Sequence, residues 1–161
     1  MKIAIACALV ILLAGFCFSV AALIATFPVA GLLASAPGRV RCTIAGILSG
    51  LGGVAAAIAF AYLVCRLLLG PSSAFGLLAL VTTTISLYFP LRKELAKSRM
   101  FSEDVRRTRT NLEAQGQDSS SLEFIDEHAE MAVGLKFRVL GAAAGIVLAF
   151  LWLLVVRGAS G

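Results

Sequence analysis

Hydrophobic positions in this chain form long unbroken stretches, with neither the two-residue alternation of a strand nor the one-sided stripe of a soluble helix. Four uncharged windows cover residues 3–38, 42–65, 67–91 and 139–156. Each holds about the 20 apolar residues that an α-helix needs to cross hydrocarbon at roughly 1.5 Å per residue. The pattern predicts spans at 3–27, 44–69, 74–91 and 139–156. The first window is too long for one level span, and Pro28 is expected to kink or end it, leaving residues 29–35 as a helical extension or an interfacial segment. Gly70, Pro71, Ser72 and Ser73 supply the break between spans two and three.

Residues 92–137 are different in kind. All nine acidic residues of the chain lie between Glu94 and Glu130. A carboxylate costs roughly 2.5 to 3.5 kcal/mol at a bilayer centre on insertion scales, so its exclusion from the rest of the chain marks where lipid lies. Within this segment Phe101, Val105, Thr108 and Leu112 fall at helical spacing, and so do Leu122, Ile125, Ala129 and Ala132. Residues 116–121, Gly-Gln-Asp-Ser-Ser-Ser, form a turn signal between them, and Ser120 with Glu123 fits a capping box. The expected architecture is all-α: an integral membrane four-helix bundle of four transmembrane spans, with a helical hairpin over 92–137 between spans three and four.

Charge orients this arrangement. With four spans, Arg39 and Arg41 share a side with the nine Lys and Arg of 92–138, which puts eleven basic residues opposite only Lys2, Arg66 and Arg157. The positive-inside rule then places both termini outside and the hairpin in the cytoplasm, as in a bacterial-type inner membrane. An alternative for the first span is a cleaved signal peptide, with Lys2 before an apolar run and Ser19-Val20-Ala21 as the processing site. The apolar run continues well past that site, which favours an uncleaved anchor.

The hairpin is polarised. Its outgoing arm, 92–109, carries seven basic and three acidic residues, and 110–130 carries six acidic residues and no Lys or Arg. Opposite charges on adjacent arms are expected mainly to face each other, each exposed pair contributing at most about 1 kcal/mol. The sharper reading lays the basic arm on anionic lipid and leaves Glu113, Asp118, Glu123, Asp126, Glu127 and Glu130 as a surface for a protein partner. Arg92, Lys93, Lys136 and Arg138 lie nearest the bilayer and are expected to contact lipid headgroups.

Inside the membrane, Ala45, Ser49, Gly53, Ala57, Ala61 and Cys65 recur every fourth residue of span two, and Gly46 with Gly50 adds a G-x-x-x-G on the neighbouring face. Span four repeats the device with Gly141, Gly145 and Ala149. Small side chains let helix backbones approach closely, so these are the expected packing positions, toward helices of this chain, a second copy or another subunit.

Ion-coupled transport and proton relays place ionisable groups at membrane depth, and only Arg66, near a span end, interrupts the apolar register. The one histidine, His128, has Ile125, Phe124, Met131 and Ala132 as helical neighbours, so neither a metal site nor a cofactor is expected. The cysteines form no redox motif, and Cys7 with Cys65 is the one pair the topology brings to the same face. Basic residues gather at span ends without interleaved aromatics, which argues against nucleic acid. The expected role is a structural, assembly or regulatory subunit of a membrane complex. An oligomeric pore with spans two and three at its axis, and a membrane enzyme using Glu94, Asp126, Glu127 or Glu130 at headgroup level, are the alternatives.

Overall fold

The computed structural model describes residues 1–70, 74–115 and 119–159, and all but a few of these are helical. There are four helices: α1 (Lys2–Leu32), α2 (Gly38–Leu69), α3 (Ala74–Gln115) and α4 (Ser119–Ala159). All four contain stretches long and apolar enough to cross a membrane.

α1 runs through Pro28 and stops only at Leu32. Losing one N–H near the end of a 31-residue helix costs one ladder bond, and the remaining turns carry the helix on. It closes with Leu33 N–H on the Val29 carbonyl and Ala34 N–H on the Gly31 carbonyl. Pro37 then caps the start of α2. At its other end α2 stops at Gly70, whose φ of 89° is open to glycine at little cost.

The expected hairpin arms are continuations of the spans. α3 is one helix of 42 residues that passes through Pro90, and α4 is one helix of 41. At 1.5 Å per residue these measure roughly 62 Å, against roughly 47 Å for α1 and α2. The second half of α3 returns beside the first half of α4, with Ser98 Oγ donating to the Ala132 carbonyl at 2.8 Å and the Phe101 and His128 rings edge to face at 5.7 Å.

α2 is the packing centre, touching α1, α3 and α4, whereas α1 and α4 are diagonal and make no close backbone approach among the described residues. Val10, Ala14 and Phe18 of α1, Val54, Ala57, Ala61 and Cys65 of α2, Ala79 and Leu87 of α3, and Ala142 of α4 form the core. Outward faces are large and apolar: Leu12, Phe16, Phe27, Trp152, Leu154 and Val155 are all exposed. Such a surface belongs against lipid.

One contact joins α1 to α3 through the backbone. Ser86 Oγ donates to the Ile11 carbonyl at 2.7 Å and accepts from the Gly15 N–H at 3.1 Å. Those two groups are partners across one turn of α1, so the hydroxyl bridges a rung of another helix's ladder. Pro90, which cannot donate to the Ser86 carbonyl, lies beside Gly15 in this groove.

Candidate functional site

Where the spans give way to the hairpin, Arg138 of α4 reaches all three other helices. Its Nε donates to Ser49 Oγ of α2 at 3.1 Å, Nη1 to Glu94 Oε1 of α3 at 3.4 Å, and Nη2 to Thr26 Oγ1 of α1 at 3.4 Å. Ser49 and Thr26 are set up to accept. Each gives its own proton to a carbonyl of its own helix, Ser49 to Gly46 at 2.9 Å and Thr26 to Ala22 at 2.7 Å, which leaves oxygen lone pairs for the guanidinium. A planar fork of donors suits this divergent task better than an ammonium group. The guanidinium thus links the diagonal pair α1 and α4.

The approach depends on glycine. A Cβ on Gly46 would meet the Gly134 carbonyl, one on Gly50 the Arg138 carbonyl, and one on Gly141 the Ile47 carbonyl. On the adjacent face a Cβ on Gly53 would lie 2.7 Å from the Phe18 ring. With these positions bare, α4 lies close enough to α2 for the Arg138 side chain to run across to α1.

The Arg138 and Glu94 side chains are 21% and 19% exposed. Glu94 Oε2 is buried and has no hydrogen-bond partner among the described residues. Desolvating two charges offsets much of their attraction, so such a pair fixes geometry more than it adds net stability; removing one partner strands the other. Beside it lies a cavity of about 310 Å³ reaching from Thr26 and Arg138 to Cys42, Phe101 and Glu130. Glu130 closes its far end with the carboxylate directly over Gly38, the first residue of α2. α2 has no acidic residue in its first turn and no side-chain cap of its own, so this carboxylate faces the positive end of the helix dipole.

The residues singled out by pattern fall in several places. Ala45, Ser49, Gly53, Ala57 and Ala61 are buried within the chain, Gly53 against Phe18 of α1 and Ser49 against Arg138 of α4, and Gly145 faces Val54. Ala149 lines an apolar groove of about 560 Å³ with Ile58, Tyr62 and Trp152. Arg92, Lys93 and Lys136 are exposed, while Arg138 is turned inward to the junction. Asp126 and Glu127 are exposed. Glu113 and Glu123 lie on α3 and α4 with side chains outside the described residues, and Asp118 is outside them altogether. The four cysteines are free.

Thr26 and Ser98 were not singled out by the pattern, and Glu94 entered only as an enzyme candidate. The signal for the ion pair was depth: Glu94 follows the end of span three by three residues and Arg138 precedes span four by one.

No protein-family model, curated protein or solved structure matches this chain. Four helices long and apolar enough to cross a membrane make this a multi-pass helical membrane protein in class.

Proposed function

We propose that this protein is a structural or assembly subunit of a membrane complex, in which four spans hold a helical hairpin out of the bilayer for a protein partner. The observation that carries this reading is the continuity of α3 and α4 from span to hairpin, with no break among the described residues at either crossing. A helix transmits position along its length, and the Arg138 junction ties both long helices to α1 and α2 where they leave the spans. The exposed acids Asp126 and Glu127 lie on the returning arm, away from that junction. In this reading the hairpin is cytoplasmic and the termini are outside, because eleven basic residues then lie inside. The pore alternative draws no support from α2, whose small-residue face is covered by helices of its own chain.

The test is purification from native membranes after mild detergent extraction. A membrane subunit should co-purify in fixed ratio and be lost when Asp126 and Glu127 are both changed to Lys. Recovery of the chain always as a lone monomer overturns the proposal.

A further inference from the structure

A second cavity, of about 350 Å³, opens where α2 begins beside the hairpin, and Arg39 and Lys136 both line it. Ser98 and Ser102 of α3 contribute its polar wall, and Ala129 and Ala132 of α4 its apolar one. No acid lines it among the described residues, and neither Arg39 nor Lys136 has an ion-pair partner among them. Glu130, the acid at the start of α2, lines the neighbouring cavity instead. Ser98 and Ser102 give their protons to the Ala132 and Ser98 carbonyls, so recognition of an anion rests on the two cations.

Depth identifies the source of the anion. Arg39 precedes the expected start of span two by five residues, about 8 Å along a helix, and Lys136 precedes span four by three, about 5 Å. Both belong in the headgroup layer, which adds roughly 5 to 8 Å to each side of the hydrocarbon. Two cations from different helices, converging on one cavity at this level without a protein counter-ion, match a phosphate with net negative charge. We infer that this cavity binds the phosphate group of an anionic phospholipid, with Arg39 and Lys136 as its ligands. The site is independent of any protein partner on the hairpin.

The full chain, purified in a phosphate-free maltoside detergent, is titrated by calorimetry with dioctanoyl phosphatidylglycerol, dioctanoyl phosphatidylcholine and inorganic phosphate. Phosphatidylglycerol should bind more tightly than phosphatidylcholine, whose ammonium group the two cations repel. Inorganic phosphate binding as tightly as phosphatidylglycerol would assign the same site to free phosphate; its failure to bind assigns the site to lipid. Arg39→Gln with Lys136→Gln should weaken binding about tenfold or more. The control, Lys2→Gln with Arg66→Gln, removes the same charge from the opposite end of the helices and should leave affinity within about threefold. Both pairs replace exposed cations, and helical content by circular dichroism checks that they fold. Equal weakening by the two pairs, no weakening by the first, or equal binding of the two lipids overturns the proposal.

Discussion

From Gly134 to Gly145, α4 lies against α2 at positions where one helix or the other has no side chain, so backbone meets backbone at Gly46, Gly50 and Gly141. From Ile125 to Ala132 the same helix meets α3 through side chains, with a serine hydroxyl, a ring pair and buried Ile125 and Ala132 between them. In lipid, where no hydrophobic drive separates one apolar helix from another, close backbone approach supplies the dispersion contacts that hold helices together. Between Ile125 and Ala132 ordinary side-chain burial does that work, and the outer face carries charge. One helix therefore has a region with little tolerance for added atoms and a region whose outer face is open to change.

Arg138 lies within the glycine-packed region, near the end where it meets the hairpin, and breaking its contacts should have the largest effect. Arg138→Met removes the guanidinium from Glu94, Ser49 and Thr26 at once and leaves a mostly buried carboxylate without its cation. The expected cost is about 3 to 5 kcal/mol, read from reversible unfolding in mixed micelles. Glu94→Gln added to Arg138→Met should recover a large part of that loss, because no uncompensated charge remains. A single variant within about 1 kcal/mol of the parent would show that the junction does not hold the helices together.

The glycine seam comes next. Gly50→Ala drives a methyl group into the Arg138 carbonyl, which has no flexible end to move aside. Overpacking of this kind costs about 1 to 3 kcal/mol. Gly52→Ala is the matched comparison: its added Cβ would meet only the Ala25 methyl at 3.8 Å, an ordinary contact. The two alanines should differ clearly in melting temperature, and equal values would remove the distinction between a backbone-packed seam and an ordinary one.

Small residues at four-residue spacing stand out in an apolar run because they have few other uses there, whereas the helix they pack against is not written in that spacing. The four long apolar helices were readable for another reason, since carboxylates are excluded from their apolar windows. The continuity of α1 through Pro28 was not, because proline is as compatible with a kink as with an end, and tertiary packing decides. Arg138 was harder still. Long basic side chains at span ends usually extend to the headgroups, and only the meeting of Thr26, Ser49 and Glu94 from three other helices turns this one inward. Ser86 bridging Ile11 and Gly15 is a contact across 71 to 75 residues, beyond the reach of any local pattern.

The smallest effect on stability is expected at the hairpin's acids, and that smallness is what sharpens the contrast. Asp126 and Glu127 are exposed, and Asp126 lies one helical turn before Glu130 on the same helix. Like charges at that spacing repel by a few tenths of a kcal/mol. Asp126→Lys with Glu127→Lys should therefore leave stability within about 0.5 kcal/mol of the parent, or raise it slightly. A chain that unfolds at the same temperature yet no longer recovers its membrane partner would locate specificity on this arm. Retention of the partner would move the docking surface elsewhere. A loss above about 1 kcal/mol would instead mean that the acids are bound into the fold, as Glu94 is, and the two regions of α4 would no longer differ in how much change they accept.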